Sequence, residues 1–470
     1  MPGNRAALAV FALAWASFAL ATHARVFAAG NDASRWAQVE ALVDLHRRSI
    51  EGSRFAATID KVRIAGREYS NKPPLLALAA AAVYAPLSAV TGWRLGGPPA
   101  GASEAIRWTT IAVVATSSAA LVALFFAFAR RLWGAGPGVG LATFALGWAS
   151  LLTSYSGTLN NHTVAAALVF AGVAAAIRGR AGASALALGL ATGIDILPGA
   201  GFVPVAAWIL RGAGRRAALR FAGGLALTAA IAIAADLAVV GSPWPPKLVP
   251  GAVDLSAAVG RSAGGVVLPQ SPTYALELLV GGHGLFTVTP VLLFGLWGWI
   301  RCARDRRPAA PLARSTTLAI GVGVLLQFAG HAVLAGSYGG WSYGYRYLIP
   351  IHPLLLLFAA PVLAGAARSI FVVALAPSAL FAWLGAYHPW PPAFEQESAL
   401  QPVAALVRQP IGGNAAAWLA AHRPESALAR FTARVFVSPD ATLQRQYFAL
   451  FFGSKGDLAT MRKFAPGPPP

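Results

Sequence analysis

Residues that bind phosphate or accept protons are spread along an otherwise apolar chain. One of them, Lys72, stands at the start of an apolar helix, in the stretch Tyr-Ser-Asn-Lys-Pro-Pro-Leu-Leu that covers residues 69–76. A helix N-terminus already carries partial positive charge, so a lysine there is unfavourable by roughly a few tenths of a kcal/mol unless an anion binds. A bound phosphate would account for Lys72, and snorkelling of its ammonium group to the lipid headgroups is the competing explanation.

Arg346 stands among aromatic residues, with Trp341, Tyr343, Tyr345 and Tyr347 around it. A guanidinium group binds phosphate through two parallel hydrogen bonds, and aromatic rings beside it can stack on sugar faces. The alternative is an aromatic belt at the membrane interface with a snorkelling arginine.

Two further polar residues stand at predicted helix starts. Asp32 precedes apolar residues that recur at helical spacing over residues 36–50, with Arg35 on the opposite face, and this pattern predicts an amphipathic helix at the membrane surface. There Asp32 could simply accept N–H bonds as a helix cap. His162 follows Asn161 at the start of another predicted helix. It is either a polar helix cap or, in a functional role, a metal ligand or an acid.

The composition predicts an all-α, polytopic transmembrane helical bundle. Of 470 residues, 57% are apolar and 11% charged, and the 22 residues from Trp108 to Ala129 carry no charge. Such runs cross lipid as helices, and they lack the alternation of a membrane β-barrel. We expect about 10–12 spans. The candidate segments are about 6–29, 107–129, 138–155, 159–177, 183–210, 217–240, 284–300, 317–336, 348–366 and 369–387.

The net charge of +20 does not indicate nucleic-acid binding, because the arginines cluster in short segments between apolar runs. These clusters fall on one side if residues 73–92 do not cross the membrane and residues 183–210 form two half-helices around Asp195. Segments 30–106, 156–163, 241–283 and 337–347 then lie outside. We predict a transmembrane domain over residues 1–387 and a small extracytoplasmic region over residues 388–470.

The order of these motifs resembles the glycosyltransferase C superfamily of membrane enzymes. The chain has an acidic residue after the first span, then an amphipathic helix, then Tyr69-Ser70-Asn71-Lys72-Pro73-Pro74. This order resembles the branch that holds protein O-mannosyltransferases and aminoarabinose transferases. The likeness is greatest to a bacterial group of mannosyltransferase-like membrane proteins. The resemblance extends to Asn160-Asn161-His162, Gly282-His283-Gly284 and the segment 340–348, and covers about residues 6–365.

The resemblance implies sugar transfer from a polyprenyl phosphate, with inversion at the anomeric carbon. Asp32 matches the catalytic acidic residue that would deprotonate the acceptor hydroxyl. The other matched residues are predicted to bind substrate: Lys72 at the donor phosphate, with Asp60, Lys61, Tyr69, Asn161, His162, Tyr345 and Arg346. Asn71 departs from the pattern, because family members commonly have an acidic residue there.

Several alternatives stay open. A transporter or flippase of lipid-linked sugars would also use broken helices and intramembrane carboxylates. Because Asn71 replaces an acidic residue, a non-catalytic protein that binds a lipid-linked sugar is a further alternative. No metal site is predicted, although a divalent cation held by Asp32 and another acidic group stays open as a cofactor. The acceptor is a glycan, a lipid or a protein. A composition rich in Ala, Gly, Arg and Pro predicts a bacterial inner (plasma) membrane protein whose site faces outside.

Overall fold

The computed structural model describes residues 2–27, 31–58, 60–255, 273–307, 310–334, 342–390 and 410–436. Apolar runs fold there as helices, which satisfy their own backbone hydrogen bonds. The α-helices are α1 Pro2–Leu20, α2 Asn31–Val43, α3 Leu75–Thr91, α4 Pro99–Thr110, α5 Thr116–Trp133, α6 Pro137–Trp148, α7 Leu151–Tyr155, α8 Asn161–Ile177, α9 Ala181–Ile194, α10 Ile196–Leu210, α11 Arg215–Val240, α12 Tyr274–Val280, α13 Leu285–Val288, α14 Leu292–Arg304, α15 Arg314–Leu334, α16 His352–Ala359, α17 Gly365–Tyr387, α18 Pro410–His422 and α19 Ala427–Phe436.

Four helices in the described part are long and apolar enough to cross a membrane. They are Pro99–Trp133, in which a π-turn joins α4 to α5, then α11, α15 and α17. The pair Tyr274–Val288 and Leu292–Arg304, bent by 101°, makes a fifth if it is one span, and six further apolar helices have 10–17 residues. The predicted all-α, polytopic membrane fold is confirmed.

A small antiparallel sheet lies in the loop between α2 and α3 and was not predicted. Strand β1 (Lys61–Ile64) pairs with β2 (Arg67–Ser70) through a two-residue turn, so that Lys61 lies opposite Ser70. A two-residue strand, β3 (Val253–Asp254), adds to the other edge of β1. The hairpin joins Asp60, just before β1, to Lys72, two residues after β2, and so brings the two ends of this segment together.

Helix α2 differs from its prediction in length and in surroundings. It ends at Val43 rather than continuing toward Ile50, and every residue from Asn31 to Ala41 is buried in the protein. Trp36 and Val39 pack against the apolar face of α3, while the polar face that was expected to meet water turns into the protein interior. The prediction of a surface helix was therefore wrong, because its polar side chains find protein partners.

The predicted break in segment 183–210 falls at Asp195, which ends α9 and begins α10. The two half-helices then turn back on each other so closely that a Cβ on Gly199 would lie 2.1 Å from the backbone nitrogen of Thr192. Only glycine fits at this approach. Asp195 is thereby placed beside the start of α8.

The region after α17 is described only in part. Asn414 of α18 donates hydrogen bonds of 2.8 Å to the backbone oxygens of Leu384 and His388, and these bonds attach α18 to the end of α17. The prediction of a separate extracytoplasmic region over residues 388–470 otherwise lies mostly outside the described residues, and it stays a prediction.

Candidate active site

The Asp32 carboxylate lies buried in the first turn of α2, only 1% exposed. Its Oδ2 accepts the backbone N–H of Phe27 at 3.2 Å, upstream of the helix, so helix capping does not account for it. Its Oδ1 makes no bond of standard geometry within the described chain. Burial raises the pKa of Asp32 to about 7, although the Phe27 N–H, Arg35 and Trp36 act in the opposite direction. A carboxylate with this pKa can accept a proton near neutral pH.

Arg35 connects Asp32 with the rest of the charged cluster, one helical turn along α2. It is 2% exposed and donates to the backbone and side-chain oxygens of Asn31 at 3.0 and 2.9 Å and to Oδ1 of Asn161. Burial lowers the pKa of Arg35 to about 10, and the surrounding acidic groups, Asp60 foremost, counteract this. Arg35 was not among the predicted site residues.

Lys72 forms an ion pair with Asp60, with 3.1 Å between its Nζ and Oδ2. Both side chains are more than four-fifths buried, and the backbone that carries them is held in place: Ser34 Oγ donates to the Asp60 carbonyl, and the N–H of Asn71 donates to the same oxygen at 3.3 Å. Burial lowers the pKa of Lys72 to about 8 against the opposing effect of Asp60. Burial raises the pKa of Asp60, but the nearby cations Lys72, Lys247 and Arg346 together lower it below its usual range.

The imidazole of His162 lies between a carboxylate and a guanidinium. Its Nδ1 and Oδ2 of Asp195 are 2.7 Å apart, and its Nε2 lies 3.2 Å from Nε of Arg346. Since Nε of Arg346 is a donor, Nε2 of His162 accepts, which places the ring proton on Nδ1, toward Asp195. Helix capping falls instead to Asn160, whose Oδ1 accepts the N–H of Thr163 at 3.0 Å. His162 therefore positions the arginine rather than the helix.

Arg346 begins a short 3₁₀ helix, Arg346–Ile351, and is 4% exposed. Its guanidinium carbon lies 4.9 Å from the ring centre of Tyr347 and 5.0 Å from that of Trp390. Contacts of this kind stabilise a cation and fix the plane of its hydrogen-bond donors. Trp390 was not predicted as a site residue, since it lies 44 positions from Arg346 in an unremarkable Pro-Trp-Pro stretch.

Five elements distant in the sequence bring these groups together. The pKa of Arg35 responds to the charges of Asp60, Arg346, Asp195 and Asp32, so these side chains share one electrostatic environment. Three buried or largely buried cations, Arg35, Lys72 and Arg346, are arranged around acidic partners in a region of low dielectric. Such an environment strengthens the attraction for an anionic ligand. Asp32 lies in the same cluster as a proton acceptor for a group bound beside that anion.

Other predicted site residues lie at the edge of this cluster or apart from it. Lys61 pairs with Glu68 across the hairpin at 2.6 Å, and Tyr69 packs with Val62, Val239 and Val240 on the other side of the sheet. Tyr345 is fully buried, and its backbone N–H donates to the carbonyl of His283.

Lys247 belongs to the charged cluster, although it was not predicted as a site residue. It pairs with Asp254 at 2.7 Å, and its charge acts on the pKa values of both Lys72 and Asp60. The aromatic residue Trp341, expected near Arg346, lies outside the described residues. In the described ranges, His, Cys, Asp and Glu side chains form no group of three or more that could hold a metal ion.

Solved structures share this fold. The crystal structure of ArnT from Cupriavidus metallidurans bound to undecaprenyl phosphate aligns with 88% of this chain and 72% of its own, with a TM-score of 0.52 and 17% identity. The same protein in the apo state aligns over 90% and 73%, with a TM-score of 0.50 and 18% identity. No known family profile matches the chain, and no curated protein matches it. The chain thus shares its fold with ArnT, as the resemblance of its motifs led us to expect.

Proposed function

We propose that the protein is an inverting glycosyltransferase that takes its sugar from a polyprenyl phosphate at the extracytoplasmic face of the membrane. The observation that carries this proposal is a buried carboxylate of pKa about 7, Asp32, in one cluster with the cations Arg35, Lys72 and Arg346. The fold adds support, because ArnT has been crystallised with undecaprenyl phosphate.

In the proposed reaction, Asp32 accepts the proton of the acceptor hydroxyl. The hydroxyl oxygen then forms a bond to the anomeric carbon from the side opposite the phosphate, while the bond from that carbon to the phosphate oxygen breaks. Polyprenyl phosphate leaves with the electron pair, and the configuration at the anomeric carbon is inverted. A leaving phosphate needs charge neutralisation more than protonation, so the cations contribute more here than an acid would.

Lys72 and Arg346 are the proposed phosphate ligands. Arg346 presents a planar group that is fixed by Tyr347, Trp390 and His162, which suits bidentate binding of a phosphate. Lys72 already pairs with Asp60, and an incoming phosphate would share its ammonium protons with that carboxylate. Asp60 and Asp195 then act as positioning residues, because Asp60 holds Lys72 and Asp195 holds His162, which in turn holds Arg346.

The distribution of arginines supports an extracytoplasmic site. His162 lies in the first turn of α8, and Arg178 follows the other end of the same helix, about 25 Å away at 1.5 Å per residue. Helix α5 likewise ends in Arg130 and Arg131, and α14 ends in Arg304. Arginine-rich helix ends face the cytoplasm by the positive-inside rule, so the charged cluster would lie at the opposite surface.

The test is release of free polyprenyl phosphate from a polyprenyl-phosphate sugar by the purified full chain in the presence of candidate acceptors. We expect Asp32→Asn to lower this rate by about 100-fold or more, as is typical for loss of a general base. The matched control is Asp305→Asn, which removes a partly exposed carboxylate beside Arg307 after α14 and should leave the rate unchanged. An Asp32→Asn variant that transfers sugar as fast as this control would refute the assignment.

A further inference from the structure

A groove of about 770 Å³ lies on the other side of the β1–β2 hairpin from the charged cluster. We call it the arginine groove. Its walls are the segment that follows α2, the hairpin and the end of α11, and its cationic side chains are Arg47, Arg48 and Arg67. None of these three takes part in the chemistry proposed above.

The three guanidinium groups of the arginine groove form no close ion pair in the described part of the chain. Among the residues that the structure describes, no carboxylate oxygen comes within 4 Å of any of them. The groove contains one carboxylate, Glu51, whose Oε1 accepts the backbone N–H of Glu68. Three guanidinium groups against one carboxylate leave the groove with a net positive charge, and a bound anion offsets that charge. The groove is therefore suited to a negatively charged group.

The backbone of the groove is strained at two places. His46 has φ +50° and Ala65 has φ +47°, and in the described chain these two are the residues other than glycine with positive φ. Both line the arginine groove. His46 turns the chain sharply after α2, just ahead of Arg47 and Arg48, and Ala65 forms the turn that leads into Arg67. L-residues persist in this conformation where the surroundings enforce it, and such positions concentrate at binding sites.

The remaining wall of the groove is apolar and continues onto a lipid-facing surface. Tyr69, Val239 and Val240 close it on one side. One turn back along α11, Leu237 is 46% exposed, and Ile233 before it is 43% exposed, so an apolar strip runs along this helix to the groove. A ligand that satisfies both walls carries an anionic group at one end and hydrocarbon at the other.

We propose that the arginine groove binds the anionic headgroup of an amphiphile, a phosphate or carboxylate, whose hydrocarbon part lies along α11. Strand β2 links this groove to the charged cluster: Tyr69 lines the groove, whereas Ser70 contacts Ser34 Oγ at 2.6 Å, two residues from Asp32. The amphiphile is either an anionic lipid of the surrounding leaflet or the sugar acceptor, and the second source rests on the proposed function.

Binding of a soluble probe tests the groove directly. The full chain in detergent is titrated by calorimetry with dioctanoyl phosphatidic acid, with dioctanoyl phosphatidylcholine and with inorganic phosphate. We expect tightest binding for phosphatidic acid, and we expect the triple variant Arg47→Gln, Arg48→Gln, Arg67→Gln to weaken it by about tenfold or more. The matched control removes three arginines at the opposite end of the bundle: Arg211→Gln, Arg215→Gln, Arg216→Gln.

Equal affinity in the wild-type and groove variants, or an equal loss in both triple variants, would overturn the proposal. All three groove arginines are exposed, so the variant is expected to fold, and its melting temperature checks this. If the triple variant unfolds, Arg67→Gln alone carries the test, with weaker binding of phosphatidic acid as the expected result and wild-type affinity as the contrary one.

The two sources of the amphiphile separate in an activity assay. If the groove holds the acceptor, the triple variant raises the KM for acceptor while leaving donor hydrolysis without acceptor unchanged. If it holds a bilayer lipid, the KM for acceptor stays the same, and the variant no longer responds to phosphatidylglycerol added to phosphatidylcholine vesicles. If the protein transfers no sugar at all, the proposed function is refuted. The binding of phosphatidic acid would still test whether the arginine groove binds an anionic amphiphile.

Discussion

Replacement of Asp32 by asparagine should make the protein more stable while it abolishes activity. The carboxylate is 1% exposed, and its burial raises its pKa from 3.8 to about 7. The folded protein thus holds a proton on Asp32 more tightly than the unfolded chain does, and the ionised form is disfavoured by folding. Asparagine has the same shape and carries no charge, so it avoids this penalty.

The magnitude follows from proton linkage. Because the pKa of Asp32 is higher in the folded protein, the folded protein loses stability as pH rises from the unfolded-state pKa, 3.8, to the folded-state pKa, about 7. Above the folded-state pKa the loss is complete. The difference of about three pH units corresponds to about 4 kcal/mol at 1.36 kcal/mol per unit, fully present near pH 8. Near pH 5 the destabilisation is only about 2 kcal/mol, because at that pH Asp32 is protonated in the folded protein and ionised in the unfolded chain.

Thermal unfolding of the wild type and of Asp32→Asn in detergent, near pH 8 and near pH 5, measures this difference. We expect the variant to melt higher at both pH values, with the larger gap at the higher pH. Asp305→Asn controls for loss of a carboxylate, and it should not raise the melting temperature, because its partner Arg307 is left without an ion pair. An Asp32→Asn protein that melts lower than the wild type near pH 8 would refute the reasoning that burial dominates the pKa of Asp32.

Four other results are expected. Lys72→Gln should raise the KM for the donor by about tenfold or more and change the KM for acceptor little, whereas equal effects on both would contradict a phosphate contact. Activity should follow a narrow bell in pH, because Asp32 must lose its proton at about 7 and Lys72 must keep its proton below about 8; a rate that keeps rising well above pH 8 would exclude Lys72 as a cation in the reaction. Arg346→Lys should weaken donor binding despite its conserved charge, since lysine loses the planar, stacked geometry, and wild-type affinity would argue against a bidentate contact. Cysteines introduced at Gly136 and Leu248, both exposed, should react with a membrane-impermeant reagent added from outside at position 248 and not at position 136; labelling at 136 alone would reverse the topology.

The sequence predicted the fold class well, because membrane solvation leaves few options for long apolar runs. It also placed the break at Asp195, since Gly193, Pro198 and Gly199 interrupt an otherwise continuous segment. The surface helix at α2 was wrong for a specific reason. Amphipathic spacing identifies which face of a helix is apolar, but it does not say whether water or buried partner side chains meet the polar face.

The site was predictable only one residue at a time. Asp32, Lys72 and Arg346 each carry a local signal, an acidic residue or a cation at a helix start. Arg35 and Trp390 carry none, because their roles come from packing against residues far away in the chain: Arg35 donates to Asn161, and Trp390 lies over Arg346.

Pairing partners also escaped prediction. Lys61 and Lys72 lie in the same loop, and both stood as candidate substrate ligands. The hairpin directs Lys61 to Glu68 and leaves Lys72 with Asp60 in the cluster. Which lysine faces the cluster depends on strand register, and register is set by the two-residue turn at Ala65 and Gly66, which short-range patterns did not reveal.

The central claim, that the charged cluster breaks the bond between a sugar and a polyprenyl phosphate, is tested most directly in proteoliposomes that contain the full chain and a polyprenyl-phosphate sugar. With acceptor present, we predict that free polyprenyl phosphate accumulates with the wild type and does not accumulate with Asp32→Asn. Movement of the intact sugar lipid from one leaflet to the other, without release of polyprenyl phosphate, would contradict the claim and would identify the protein as a flippase.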